Sequence, residues 1–259
     1  MIDALKQRLH AKSAALLLSM ESRLDRIMVG WLTLAAVASG VRIATSPVDA
    51  AVSNPETFAP YLLLIFAPAV SLVLALRWFK DGDSMPQPAT RLACVGKWRV
   101  VSRAEAKRHT LYGTSGIMVS LLVGMLLSIP LRAAEYMAAM PALSGPVPSW
   151  LSTLNLLMTA DVVLLSSLYA IAFVAALRRV PLFPRLLIGI WMVDLGMQLL
   201  TAQLVAGAPG LPPTVASALH TLLDGNVKKV LIGAALWLPY LLLSERVNVT
   251  FRNRVPAAS

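Results

Sequence analysis

Six apolar runs, each roughly twenty residues long, constrain the fold of this chain more than any other feature of its sequence. At a rise of ~1.5 Å per residue, a helix of that length crosses a hydrocarbon layer of ~30 Å. Only 14% of the residues are charged, against roughly a quarter in soluble domains. The pattern therefore predicts an all-α polytopic membrane protein with six transmembrane helices. The predicted spans are 27–45, 61–79, 111–130, 151–177, 185–205 and 227–244.

Polar stretches between the runs divide the chain into five parts. Prolines are concentrated in the connections 46–60, 131–150 and 206–226, where helices are expected to stop. The basic N-terminal segment is expected to lie as an amphipathic helix on the membrane surface or to form a solvated helical tail. The parts are this segment at 1–26, a two-helix membrane hairpin at 27–79, a basic linker at 80–110, a four-helix membrane domain at 111–252 and a tail at 253–259.

The distribution of Lys and Arg predicts the orientation in the membrane. Of the 23 Lys and Arg residues, 19 fall on the side of the two chain ends and four on the other side. Since cytoplasmic loops collect positive charge, both termini are predicted to be cytoplasmic. The net charge of +10 has the same explanation. No basic domain stands apart from the apolar runs, so nucleic-acid binding is not expected.

Metal and cofactor chemistry has no recognisable ligand set in the sequence. Cys94 is the single cysteine, and the three histidines, His10, His109 and His220, fall in different segments. Neither a zinc site nor a haem-binding histidine pair is therefore predicted. The motifs of serine hydrolases, zinc proteases and nucleotide-binding loops are also absent from the sequence. No metal or cofactor is expected, and a non-catalytic role is favoured over an enzymatic one.

A line of polar residues runs along the fifth predicted span. Asp194, Gln198 and Thr201 are spaced at i, i+4 and i+7, which places them on one face of a helix. A polar face in contact with lipid is penalised along its length, so we expect this face to meet protein or water. A candidate intramembrane polar pathway is formed by Asp194, Gln198, Thr201, Asp161, Lys229 and Tyr240.

Charged residues near the outer ends of the spans form a second candidate group. Arg132 and Glu135 are three residues apart and can pair locally. Lys228 and Lys229 have the alternative of snorkelling outward from a helix end. For Asp194 and Asp161, a structural hydrogen bond between helices and a protonatable or ion-binding role both remain open. The candidate outer pocket, expected to lead inward to Asp194, consists of Arg42, Arg132, Glu135, Asp224 and Lys228.

Small residues recur every four positions along the third predicted span, at Gly116, Ser120, Gly124 and Ser128. Residues four apart share one face of a helix, and small side chains there let another helix approach closely. The third span is therefore expected to pack against a neighbouring helix through this face.

Three stretches of the second half carry a family resemblance: SIPLRAA at 128–134, FPRLLIGIWMVDL at 183–195 and LWLPYLLLSERVNVTF at 236–251. The last contains the pattern W-x-P-Y-x-x-x-S-x-R-V-x-x-T-F, from Trp237 to Phe251. Over about residues 111–252 the chain resembles a small bacterial inner-membrane family of four-helix proteins, known only as a domain of unknown function. The resemblance implies a location in the bacterial inner membrane, and it implies no activity.

Three functions remain open from the sequence. The first is a non-catalytic scaffold or accessory subunit, with the lipid bilayer and other membrane subunits, or a second copy, as partners. The second is a small proton-coupled transporter or channel that uses Asp194 and Asp161. The third is a lipid-modifying membrane enzyme, with Glu135 or Asp224 as the acid or base and basic residues holding a head-group phosphate.

Overall fold

The structure, a computed structural model, describes residues 2–46, 55–90, 92 and 96–257. Cys94 lies outside the described residues, and so do the side chains of residues 2–11, including that of His10. The described helices are α1 (Ile2–Ser22), α2 (Leu24–Ala44), α3 (Pro55–Trp78), α4 (Arg103–Arg108), α5 (Ile117–Ala139), α6 (Ser149–Leu177), α7 (Phe183–Ala206), α8 (Pro213–Leu243) and α9 (Glu245–Arg252). Six of them, α2, α3 and α5 to α8, are long and apolar enough to cross a membrane, which confirms the all-α polytopic class.

All six helices are longer than the predicted spans, and the two largest shifts of a helix end occur in α5 and α8. α5 continues to Ala139, nine residues past the predicted end, with Pro130 inside the helix. Pro130 removes one backbone hydrogen bond, and a packed membrane helix tolerates that loss. α8 begins at Pro213, 14 residues before the predicted start, because proline suits the first turn of a helix. His220, predicted in a loop, therefore lies in α8.

α6 is the central helix of the bundle. It packs against α3, α5 and α7, while α2 packs on α3 and α8 on α7. Its second half is enclosed, with Phe173, Val174, Ala175 and Ala176 fully buried. The alanines let neighbouring helices approach closely, and Phe173 fills the space between them. Around this core the outer surface is apolar, with large exposed side chains such as Leu34, Leu62 and Leu236, as expected where lipid is the solvent.

One end of the bundle carries a small folded unit. Strand β1 (Trp98–Val100) pairs antiparallel with strand β2 (Arg254–Pro256), in the register Trp98↔Pro256 to Val100↔Arg254. The predicted linker and the predicted tail therefore pair with each other. The unit has its own apolar core, made by Val101, Ala106, Val249 and Val255. We call residues 96–116 and 244–257 the end module.

Side chains from α9 fix the loop that precedes α5. Arg246 Nη1 donates to Ser115 Oγ at 2.9 Å and to the Leu111 carbonyl oxygen at 3.3 Å. Thr250 Oγ1 accepts a hydrogen bond from the Gly113 N–H at 3.0 Å. The start of α5 and the end of α8 are therefore joined through the end module.

A tight backbone contact lies at the same end of the bundle as the end module. The turn Gly82–Ser84 follows α3 and packs on the connection between α6 and α7. A Cβ at Gly82 would lie 2.7 Å from Val180 Cγ2 and 2.8 Å from the Arg178 carbonyl oxygen. Only glycine fits there without a shift of the backbone.

Candidate functional site

Three charged side chains from three spanning helices meet inside the bundle. Arg132 of α5 lies between Asp161 of α6 and Asp194 of α7. Its Nη1 is 3.2 Å from Asp161 Oδ2, and its Nη2 contacts Asp194 Oδ2 directly. The Asp194 side chain is fully buried, and those of Arg132 and Asp161 are 15% and 17% exposed. We call Arg132, Asp161 and Asp194 the central cluster.

Neutral polar groups complete the hydrogen bonds of the central cluster. Gln198 Nε2 lies 3.2 Å from Asp161 Oδ1 and 3.4 Å from Asp194 Oδ1, and donates to both. Its Oε1 accepts from Asn226 Nδ2 of α8 at 3.4 Å. The Tyr169 ring of α6 faces the Arg132 guanidinium, with 5.7 Å between Cζ and the ring centroid, a cation–π distance. All four helices α5 to α8 therefore contribute to one polar network.

The central cluster contains one more carboxylate than it has cations. The nearest further charges, Glu135 and Lys229, contact each other and compensate each other. With both aspartates ionised, the cluster therefore carries one excess negative charge. An uncompensated charge inside a protein costs several kcal/mol even after relaxation. Chemically, the cluster is suited to take up one proton or one small cation.

Arg132 and Asp194 of the central cluster line a cavity of about 250 Å³ between α5 and α8. Gly124 and Gly233 face open space here, since a Cβ at either position would meet no atom within 4 Å. We call this cavity the α5–α8 cleft. The residues that line it include Gly124, Ser128, Arg132, Glu135, Tyr169, Trp191, Asp194, Asn226, Lys229, Gly233 and Trp237.

The open cleft changes the interpretation of the small residues on the third span. Gly116 precedes α5 as its N-cap residue, so it is not part of the helical face. Ser120 and Gly124 are exposed, and Ser128 lines the cleft. Among the described residues, no helix of the same chain packs closely over this face, contrary to the expectation from spacing.

The structure brings together part of the predicted intramembrane pathway. Asp194, Gln198 and Thr201 are all buried, and Gln198 reaches Asp161. Thr201 lines a small separate void together with Asp161 and Gln198. Lys229 lies at the edge of the cleft. Tyr240 does not join the group: it packs edge to face on Trp237, with ring centroids 5.8 Å apart, and lines neither cavity.

The predicted outer pocket does not form as one group. Arg132 belongs to the central cluster, and Glu135 pairs with Lys229 at the edge of the cleft. Arg42 lies apart, because its Nε donates to the Met140 carbonyl oxygen at 2.9 Å. Asp224 and Lys228 pair with each other on the exposed face of α8, at 2.6 Å. Glu135 and Asp224 are therefore in separate ion pairs.

Two residues of the site have roles that the sequence did not predict. Arg132 was assigned to the outer pocket because the third span was predicted to end at residue 130, whereas α5 continues to Ala139. The sequence does carry a signal for this role. Arg132 follows the apolar run of the third span directly and continues its helical spacing. Tyr169 stands in an apolar stretch, and only the fold shows that its ring faces Arg132. In the part of the chain that the structure describes, no group of three or more His, Cys, Asp or Glu residues could hold a metal ion.

Six helices that are long and apolar enough to span a membrane define this chain as an integral, multi-pass membrane protein. Residues 112–252 match one family model, described as a protein of unknown function (DUF2569). The match covers more than half of the chain, and the chain therefore belongs to this family. Neither the comparison with curated proteins nor that with solved structures gave a match. The matched region contains α5 to α8 and hence every residue of the central cluster.

Proposed function

We propose that this chain is a small proton-coupled membrane carrier that exchanges protons for small organic cations through the α5–α8 cleft. The observation that carries the proposal is the sharing of one arginine by two carboxylates beside an open cavity. With one proton bound, the central cluster is neutral. After the proton leaves, the cluster holds one negative charge, and a cation in the cleft compensates it. Proton and solute therefore compete for the same charge.

The lining of the cleft favours an organic cation over a bare metal ion. Tyr169, Trp191 and Trp237 present aromatic rings, and ring faces attract quaternary and protonated amines. Asp194 supplies the negative charge at the inner wall. The volume of about 250 Å³ lies below the range typical of drug-sized ligands, so the solute is small.

The test uses the purified chain in proteoliposomes that contain a pH-sensitive dye. Addition of tetramethylammonium or choline outside the vesicles should drive protons out of wild-type vesicles. Asp194→Asn keeps the shape of the side chain but removes the exchangeable charge, so it should abolish this flux. Asp224→Asn is the matched control, because Asp224 is an exposed acid paired with Lys228 away from the cleft. Equal flux in wild type and Asp194→Asn, or no flux with any of the cations, would reject the proposal.

A second candidate, a non-catalytic scaffold or accessory subunit, is favoured by the open small-residue face of α5. Gly124 and Gly233 leave room for a helix of another membrane subunit or of a second copy. Purification in mild detergent followed by mass spectrometry would identify a stoichiometric partner. For this role, Gly124→Leu should release the partner while Asp194→Asn retains it. The opposite pattern would place the partner elsewhere.

A further inference from the structure

A second cavity, of about 220 Å³, lies at the end of the bundle that carries the end module. It is separate from the α5–α8 cleft and shares no lining residue with it. Three arginines line it, and the described residues around it include no Asp or Glu. We call this cavity the arginine pocket. Its three arginines are Arg185, Arg252 and Arg254.

The three arginines come from elements that only the folded chain brings together. Arg185 is in the first turn of α7, Arg252 is the last residue of α9, and Arg254 is the first residue of β2. Arg252 is 8% exposed and is fixed from two sides. Its Nη1 donates to Asn248 Oδ1 at 3.0 Å, and its Nη2 donates to the Leu241 carbonyl oxygen at 2.8 Å. At least one guanidinium of the pocket is therefore held rigidly before any ligand arrives.

Positive charge accumulates in the arginine pocket, whose described lining residues include three arginines and no acid. Burial, together with the charges of Arg254 and Arg185, lowers the pKa of Arg252 to about 10. Arg252 still carries its charge at neutral pH, and the lowered pKa means that the folded protein holds this charge at a cost. The N-terminal end of α7, where Arg185 lies, adds the positive end of a helix dipole. An anion in the pocket would relieve this repulsion.

We propose that the arginine pocket binds a phosphate group, held by the guanidinium groups of Arg185, Arg252 and Arg254. Guanidinium forks match phosphate oxygens in pairs, and arginine is the residue most suited to such contacts. The pocket has room for a phosphate and a small substituent. Because Arg185 stands at the first turn of a spanning helix, the pocket lies at the level of a membrane surface. The phosphate is either that of an anionic lipid head group or that of a free ion.

The test measures binding to the full-length purified chain by native mass spectrometry and by thermal melting in neutral detergent. The probes are inorganic phosphate and dioleoyl phosphatidylglycerol, with phosphatidylcholine as the zwitterionic comparison. Arg185→Gln and Arg254→Gln should each weaken binding of whichever of these two phosphate-containing probes the wild type binds, at least about tenfold. Arg254→Lys keeps the charge but loses the paired donors, so its affinity for the probe should lie between those of wild type and Arg254→Gln. Arg99→Gln is the control, because Arg99 is an exposed arginine of the end module that pairs with Glu105.

The two sources of phosphate give different results. Saturable binding of inorganic phosphate that displaces the lipid would identify a free anion as the ligand. Retention of phosphatidylglycerol that inorganic phosphate does not displace would identify a lipid head group. Equal binding to wild type and to both Gln variants, with all proteins melting cooperatively without ligand, would overturn the proposal. Loss of binding in Arg99→Gln to the same extent would do so too, since it would show a diffuse charge effect.

Discussion

Replacement of Arg132 should destabilise the protein far more than replacement of either aspartate that it contacts. Arg132→Gln leaves two carboxylates inside the bundle without a cation, one of them fully buried. Removal of one partner from a buried ion pair typically costs about 3–5 kcal/mol, and we expect a loss in that range. Asp161→Asn or Asp194→Asn also removes the excess negative charge, so each should cost only about 1 kcal/mol. Arg132→Gln is expected to cost more than either Asp→Asn variant because the central cluster has two carboxylates and one cation.

The assay is equilibrium unfolding in mixed micelles, with increasing SDS and detection by tryptophan fluorescence. Trp191 lines the same cleft as Asp194 and makes the signal sensitive to this region. The triple variant Arg132→Gln/Asp161→Asn/Asp194→Asn should recover most of the loss, because no charge is left uncompensated. Lys228→Gln serves as the control, since its ion pair with Asp224 is exposed and worth about 0.5 kcal/mol or less.

The reasoning would be refuted if each Asp→Asn variant lost as much stability as Arg132→Gln. That result would mean that the three side chains of the central cluster stabilise the protein equally and that no excess negative charge distinguishes them. It would also remove the excess charge on which the proposed proton exchange rests. Failure of the triple variant to recover stability would point the same way, because it would show that packing of the three side chains outweighs their charges.

Three further predictions concern the fold. Gly82→Ala should destabilise the protein by about 1–3 kcal/mol in thermal melting in detergent, because the added Cβ would overlap the α6–α7 connection. Its control is Gly30→Ala, in an open position of α2, which should be neutral or slightly stabilising. Thr250→Val should cost about 1–3 kcal/mol in the same assay, because the buried Gly113 N–H would lose its acceptor. Its control is Thr221→Val, at an exposed site, which should change stability by less than about 0.5 kcal/mol. Alkaline phosphatase fused after the C-terminus should be inactive, and the same enzyme inserted in the loop 140–148 should be active; the reverse pattern would contradict the predicted cytoplasmic termini.

Apolar run length was sufficient to predict the number of spans, because each helix must satisfy its backbone hydrogen bonds within itself in lipid. Helical spacing also predicted that Asp194, Gln198 and Thr201 would share a protected face, and all three are buried. Both inferences depend on local geometry alone. Exact helix ends were less predictable, since whether Pro130 ends α5 depends on the packing of neighbouring helices and not on the proline itself.

The partners of these residues could not be predicted from the sequence. Arg132 is 29 residues from Asp161 and 62 from Asp194, and only the arrangement of three helices brings them into contact. The pairing of β1 with β2 joins segments more than 150 residues apart, and three-residue strands leave almost no pattern to detect. The arginine pocket has the same origin, since Arg185 and Arg252 are adjacent only after α7 and α9 have taken their places.

The end module has a consequence for how the bundle can move. The contacts of Arg246 and Thr250 with the loop before α5 hold the start of α5 and the end of α8 together at one end of the bundle. Any widening between the two helices must then occur at their opposite ends. Glu135 and Lys229 contact each other across that gap, and the contact has to break before the helices can separate. This exposed ion pair is therefore one of the contacts that limit the opening, and salt concentration should influence how often the helices separate.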